Sequence, residues 1–175
     1  HNGEIFALAS SPDFNANKER GELRKNKDSS VYFNRVVQGV YEMGSTFKIF
    51  SVAQGLEKDL FTLDSLIDTR AFRINSRKIE DKYKFNSESS IYEIIVRSSN
   101  VGSARLALMV GEKGLKEIFS KLGLLEPVRL ELREANTTRP ILPKNWHDIT
   151  LATVSYGYGM SVSLLHLAKA YAILG

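Results

Sequence analysis

A serine and a lysine three positions apart form the pair of residues in this chain that could do chemistry. They are Ser45 and Lys48, in the stretch "YEMGSTFKIF" from Tyr41 to Phe50. Residues three apart on a helix face the same side, so the amine would lie within reach of the hydroxyl. A serine attacks only when a base takes its proton, and a desolvated lysine with a lowered pKa can be that base. The pattern therefore predicts a nucleophile and its base; the alternative is that Ser45 or Thr46 only caps a buried helix while Lys48 extends to solvent.

Two further features would support chemistry at this pair. Gly44 precedes the serine, and a glycine there lets the chain turn sharply and a substrate approach closely. Downstream, "RSSNVG" falls at the break between two predicted helices, where the Ser98 hydroxyl can relay a proton and the Asn100 amide can bind a carbonyl and a lysine. In isolation such a turn is more often explained by Ser and Asn bonding to their own backbone.

Hydrophobic periodicity predicts mostly helical elements around these motifs. An apolar segment from Ser45 to Leu56 indicates a buried helix, because its apolar residues cover nearly all of the helix surface. Glu4–Ala9 is the best candidate for a strand. Because it has no partner strand, we expect it to be either displaced or paired with another copy of the chain. Residues 11–30 are expected to cross the surface as a polar loop. The other helices are expected over 87–97, over 101–111, over 112–123 with Gly123 as the stop, and after a capping Ser163.

Composition excludes several classes of function. The chain has 175 residues, 24 basic and 20 acidic, with no cysteine, so disulfides and thiolate sites are excluded. Its three histidines lie far apart in sequence, so neither a metal site nor a cofactor is expected. The basic residues are interpreted as scattered over a solvated surface, with attraction to an anionic polymer or membrane as the second interpretation, and no nucleic-acid face is expected. No apolar run approaches a membrane span and no signal peptide is visible.

Three motifs together resemble one family. "YEMGSTFKIF", "RSSNVGSARLAL" and "VSYGYGMSVSLLHLAKAYAILG" occur in the order found in the transpeptidase domain of class B penicillin-binding proteins, and the similarity is strongest to the division-specific, septal enzymes. The opening "NGEIFALASSPDFN" is also similar to the strand that begins the family's catalytic sheet. The resemblance implies an α+β fold like that of the penicillin-binding proteins and serine β-lactamases, with the visible part mostly helical.

The resemblance also implies a role for individual residues. Ser45 would be the acylated nucleophile, Lys48 its base, and Ser98 the group that passes the proton to the leaving amine. Asn100 would bind the substrate amide and hold Lys48. Substrate contacts are expected at three further positions: Gly44, Ser99 and Tyr158.

The family's third motif, Lys-Thr/Ser-Gly, does not occur in the sequence. Residues 1–175 are therefore expected to be a partial transpeptidase domain, cut at both ends, that is inactive or weakly active alone. The resemblance implies peptidoglycan stem peptides and β-lactams as ligands, and division-complex membrane proteins, including a glycan polymerase, as partners. It further implies a site at the periplasmic face of the bacterial inner membrane, with the anchoring helix outside this chain.

Two other functions remain open. A serine β-lactamase or β-lactam sensor would share the Ser-x-x-Lys chemistry, but a class A β-lactamase needs a glutamate to direct water onto the ester. The glutamates at 126, 131 and 134 do not stand in the Glu-x-x-Leu-Asn arrangement of those enzymes. A non-catalytic division scaffold of the same fold is the other alternative, and the intact serine motifs argue against it.

Overall fold

The structure, a computed structural model, describes residues 3–13, 15, 17 and 29–175. Most of the polar loop expected over 11–30 therefore lies outside the described residues. Five α-helices and two short 3-10 turns account for most of the regular structure within the described part. The helices are α1 (Lys48–Glu57), α2 (Ile91–Val96), α3 (Asn100–Lys121), α4 (Asp148–Ser155) and α5 (Leu164–Leu174), and the 3-10 turns are Ser29–Tyr32 and Gly44–Phe47.

Strands in the described part are short and form three separate antiparallel pairs. β1 pairs with β6, β2 with β5, and β3 with β4. This agrees with the expected α+β architecture that is mostly helical with few strands. The strands are β1 (Val40–Tyr41), β2 (Leu66–Asp68), β3 (Phe72–Ile74), β4 (Arg77–Ile79), β5 (Glu88–Ser90) and β6 (Val162–Ser163).

The core forms where α1 packs against α3. Phe50 in α1 is fully buried, with its ring 6.2 Å from the ring of Phe119 in α3 and 5.1 Å from that of Phe47. Edge-to-face contacts of this kind add to the hydrophobic gain from burial. The buried helix expected after Ser45 is confirmed, and it fixes the chain that follows the serine in the centre of the molecule.

Local stop and cap signals are confirmed. The two helices predicted over 101–111 and 112–123 are the two parts of α3, which breaks at Gly111 with φ +72°. Gly123 has φ +70° just after the helix, in the left-handed conformation that glycine adopts most easily. Ser163 caps α5, where its hydroxyl accepts a hydrogen bond from the N–H of His166.

Several expectations about elements were wrong or incomplete. Glu4–Ala9 does not form a strand, because no described strand lies beside it to complete its backbone hydrogen bonds; only Leu8 packs into a small cluster with Val37 and Val128. None of the six described strands was predicted, because two or three residues are too few to establish an alternating pattern. The helix expected over 87–97 is shorter, since its first residues form β5 and α2 begins only at Ile91. Helix α4 was also missed, because most of its residues are buried and it lacks an amphipathic pattern.

Candidate active site

The candidate nucleophile lies on a tight turn that leads into α1. Ser45 is exposed within the 3-10 turn Gly44–Phe47, and the turn is closed by a hydrogen bond of 2.8 Å from the Thr46 hydroxyl to the Met43 carbonyl. Gly44 has φ +56°, and the position where a Cβ would stand faces open space. The sharp turn expected at Gly44 is therefore present, and a ligand has access to it.

Lys48 is the first residue of α1, and its side chain is almost completely buried, with 3% exposed. Its Nζ donates hydrogen bonds to the carbonyl oxygen of Ser98 at 2.6 Å and to the Ser98 hydroxyl at 2.7 Å. Residues 50 positions apart in sequence are thus joined directly. The alternative in which Lys48 extends to solvent is wrong.

Burial lowers the pKa of Lys48 from its usual value to about 8, and the negative charge of Asp81 opposes this shift. Burial acts in this direction because a low-dielectric environment disfavours the ammonium ion relative to the neutral amine. With a pKa of about 8, about a tenth of the side chain is neutral at pH 7. A lysine in this state can accept a proton near neutral pH.

The second motif forms the junction between α2 and α3. Ser98 has φ +61°, an uncommon conformation for a residue with a Cβ that costs on the order of 1–3 kcal/mol. In this conformation both the carbonyl oxygen and the hydroxyl of Ser98 accept hydrogen bonds from Lys48. Asn100 begins α3, and within the described residues its side chain makes no hydrogen bond to Lys48, so the contact expected between them stays a prediction.

Ser99 is fully buried and serves as the cap of α3. Its hydroxyl accepts a hydrogen bond of 2.8 Å from the N–H of Gly102 and donates one of 2.7 Å to the Asp81 carboxylate. The donor and one acceptor site of the hydroxyl are therefore occupied by the protein. The geometry favours a structural role for the Ser99 side chain over the substrate contact expected for it.

Asp81 is a residue of the site that no sequence pattern predicted. Besides Ser99, its carboxylate accepts hydrogen bonds from the backbone N–H groups of Asn100 and Val101 at the start of α3. A carboxylate is favoured at a helix N-terminus, where free N–H groups and the helix dipole attract negative charge. No sequence signal indicates this contact, since Asp81 lies 19 positions before Asn100.

A second set of contacts joins the nucleophile turn to the "SYGYG" loop. Glu42 accepts a hydrogen bond of 2.6 Å from the N–H of Gly159, and the N–H of Gly44 donates one of 3.1 Å to the carbonyl of Gly157. A Cβ at Gly157 would lie 2.0 Å from the Gly44 carbonyl oxygen, so only glycine allows this approach. The β1–β6 pairing continues the contact, and together these bonds hold the chain that leads to Ser45.

Tyr158 lies on that loop with half of its side chain exposed, 52%, and its ring stands 5.9 Å from the ring of Tyr156. Its exposure leaves it available to a ligand, although its role in binding stays a prediction. The structure thus brings Lys48 and Ser98 into direct contact and places Gly44 beside the Tyr156–Tyr158 loop. Glu42, like Asp81, was not identified from sequence as a residue that holds the site.

Similarity to known proteins shows the family of this chain. The penicillin-binding protein transpeptidase domain matches residues 1–175, the whole chain. The chain belongs to the penicillin-binding protein transpeptidase family. Two solved members support the fold. One, described as a peptidoglycan glycosyltransferase from Burkholderia ambifaria, gives a TM-score of 0.75 at 32% identity over 80% of this chain and 45% of its own. The other is the transpeptidase domain of penicillin-binding protein 3 from Burkholderia pseudomallei. It gives a TM-score of 0.73 at 34% identity, over 79% of this chain and 42% of its own.

Several curated relatives within the family are named FtsI. The probable peptidoglycan D,D-transpeptidase FtsI of Caulobacter vibrioides is 40% identical over 171 residues, which cover 97% of this chain and 28% of that protein. The peptidoglycan D,D-transpeptidase FtsI of Escherichia coli is 34% identical over 173 residues, 99% of this chain and 28% of that protein. The chain therefore spans little more than a quarter of the length of these relatives. Within its described residues, no helix is both long and apolar enough to span a membrane.

Proposed function

We propose that this chain is part of a peptidoglycan D,D-transpeptidase that cross-links the cell wall at the division septum. The observation that carries the proposal is the buried amine of Lys48, hydrogen-bonded to Ser98 and one helical turn from the exposed Ser45. The reaction class is that of the FtsI-type relatives, which are named peptidoglycan D,D-transpeptidases. The reacting residues are those of the intact serine motifs.

The reaction proceeds in two acyl transfers. Lys48 accepts the proton of Ser45 as the serine oxygen attacks the carbonyl of the penultimate D-alanine. The C–N bond to the terminal D-alanine breaks, Ser98 passes a proton to the leaving amine, and an ester with Ser45 remains. The amine of a neighbouring stem peptide then attacks the ester, forms the cross-linking amide, and the proton returns to Ser45.

Other groups assist this chemistry. The backbone N–H of Ser45, in the 3-10 turn that leads into α1, supplies one donor of an oxyanion hole. Asn100 binds the substrate amide, and Gly44 and Tyr158 border the bound peptide. A β-lactam forms the same ester and retains its leaving group, so it blocks the second transfer. The Lys-Thr/Ser-Gly motif would supply the remaining wall of the site, and we expect residues 1–175 alone to be inactive or very weak.

Location and partners follow from the same proposal. A septal transpeptidase acts on peptidoglycan at the periplasmic face of the inner membrane, so we propose an anchoring helix in the full-length protein. We also propose that division-complex membrane proteins, including a glycan polymerase, bind it there.

Full-length protein tests the proposed reaction. We expect it to release D-alanine from a pentapeptide ending in D-Ala-D-Ala and to join the acyl group to an added amine acceptor. We also expect its benzylpenicillin ester to be released slowly. Rapid turnover of the penicillin ester would identify a β-lactamase, and a folded protein that forms neither ester nor cross-link would be a scaffold; either result contradicts the proposal.

A further inference from the structure

The positive charge of this chain is concentrated in one segment. Residues 70–84, "RAFRINSRKIEDKYK", contain six basic and two acidic residues, which leaves eighteen of each sign in the rest of the chain. The net charge of +4 therefore comes from this segment alone. The interpretation of the basic residues as scattered is wrong here, and we refer to residues 70–84 as the basic segment.

The basic segment includes the hairpin of β3 and β4, in which two cations stand opposite each other. Arg73 pairs directly with Lys78 across the hairpin. Like charges in this arrangement destabilise a pair of strands, and a two-stranded hairpin is only marginally stable by itself. Packing of its apolar side chains, Phe72 and Ile79, onto the core holds the hairpin in place.

Four cations of the basic segment remain available to a ligand. Arg70 is paired with Asp68 and Lys78 with Glu80, and the carboxylate of Asp81 is occupied by the start of α3. Within the described residues, the other four cations have no carboxylate at ion-pair distance, and all are exposed. They are Arg73, Arg77, Lys82 and Lys84.

The basic segment borders the candidate active site on two sides. Its Asp81 holds Ser99 and the start of α3 next to Ser98. Its apolar side chains pack in one cluster with Tyr156, the neighbour of Tyr158. Burial raises the pKa of Tyr156, and the positive charge of Arg77 opposes the shift. The basic segment is therefore joined to the start of α3 and to Tyr156, both of which lie next to the site.

We propose that the basic segment recognises the carboxylates of an acidic stem peptide and guides that peptide to Ser45. This inference rests on the proposed function, whose donor is a peptide with a terminal carboxylate. Concentrated charge of one sign at a cleft raises the association rate of an oppositely charged ligand by about 10- to 1000-fold, and salt reduces the effect. The basic segment thus adds selectivity for acidic over neutral peptides without taking part in the bond-forming steps.

Two pentapeptides that end in D-Ala-D-Ala test this inference on the full-length protein. One has free carboxylates upstream of the D-alanines, and in the other those carboxylates are amidated. We expect the wild type to release D-alanine from the acidic peptide about tenfold faster at low salt. The ratio of the two rates should approach one at about 1 M salt, where the screening length is about 3 Å. The double variant Arg73→Gln/Arg77→Gln should bring the ratio close to one even at low salt.

A matched double variant, Lys113→Gln/Arg133→Gln, removes the same charge from exposed positions outside the basic segment. It should keep the wild-type ratio. If it lowers the ratio as much as Arg73→Gln/Arg77→Gln does, or if the wild type does not distinguish the two peptides, the inference is wrong while the proposed function stands. If the wild type releases D-alanine from neither peptide and forms no penicillin ester, both are wrong.

Discussion

Replacing Lys48 with methionine is expected to lower the second-order rate constant for acylation by benzylpenicillin about 1000-fold. Methionine fills the buried space next to Ser98 but cannot take the proton of Ser45, and a positioned base contributes about 10²- to 10⁴-fold. The protein should remain folded, because the variant removes a desolvated cation and adds no buried charge. Stopped-flow labelling of the full-length protein measures the effect. The control is Lys113→Met, which replaces an exposed lysine in α3 and should be labelled at the wild-type rate.

The pH dependence of the same reaction gives a second measure of Lys48. Burial lowers its pKa to about 8, so the neutral amine becomes the major form as the pH rises through that value. Acylation should increase by nearly tenfold per unit below about pH 7 and level off above about pH 9. A rate that does not change between pH 6 and pH 9, or an unchanged rate in Lys48→Met, would contradict the role of Lys48 as the base.

Replacing Asp81 with alanine is expected to have the next largest effect. The substitution leaves the Ser99 hydroxyl and two backbone N–H groups without their acceptor, at a cost of about 1–3 kcal/mol for a donor that stays buried and unpaired. The junction that presents Ser98 to Lys48 should then shift, and a misplacement of about 1 Å can lower a rate about 100-fold. Thermal unfolding and the acylation rate measure the two effects.

Asp81→Asn separates position from charge. An asparagine oxygen can still accept a backbone hydrogen bond, so this variant should lose less stability than Asp81→Ala. Because the charge of Asp81 raises the pKa of Lys48, its removal should also shift the acylation profile toward lower pH. Asp64→Asn, an exposed acid in a turn, should change neither property. A wild-type rate and profile in both Asp81 variants would exclude a positioning role.

Local signals predicted the parts of this fold that depend on a few neighbouring residues. The break at Gly111, the stop at Gly123 and the cap at Ser163 each follow from the conformational preference or hydrogen-bonding capacity of one residue. Ser45, Lys48 and the Ser98–Asn100 turn could be recognised because their spacing has a chemical meaning.

Contacts between distant segments could not be predicted in this way. Asp81 and Glu42 hold the site through bonds that span 18 to 20 and 117 positions, and nothing in their immediate sequence indicates the partner. The strand expected over Glu4–Ala9 failed for the related reason that a strand forms only beside another strand. The reacting residues could therefore be identified from sequence, whereas the residues that position them could not.

The intact mass of the full-length protein after incubation with benzylpenicillin shows whether Ser45 is the nucleophile. We expect a single adduct of one penicillin, mapped by peptide digestion to Ser45, that is absent from Ser45→Ala and retained in Ser120→Ala. An adduct that persists in folded Ser45→Ala, or one that maps to another residue, would contradict the assignment of Ser45 as the nucleophile.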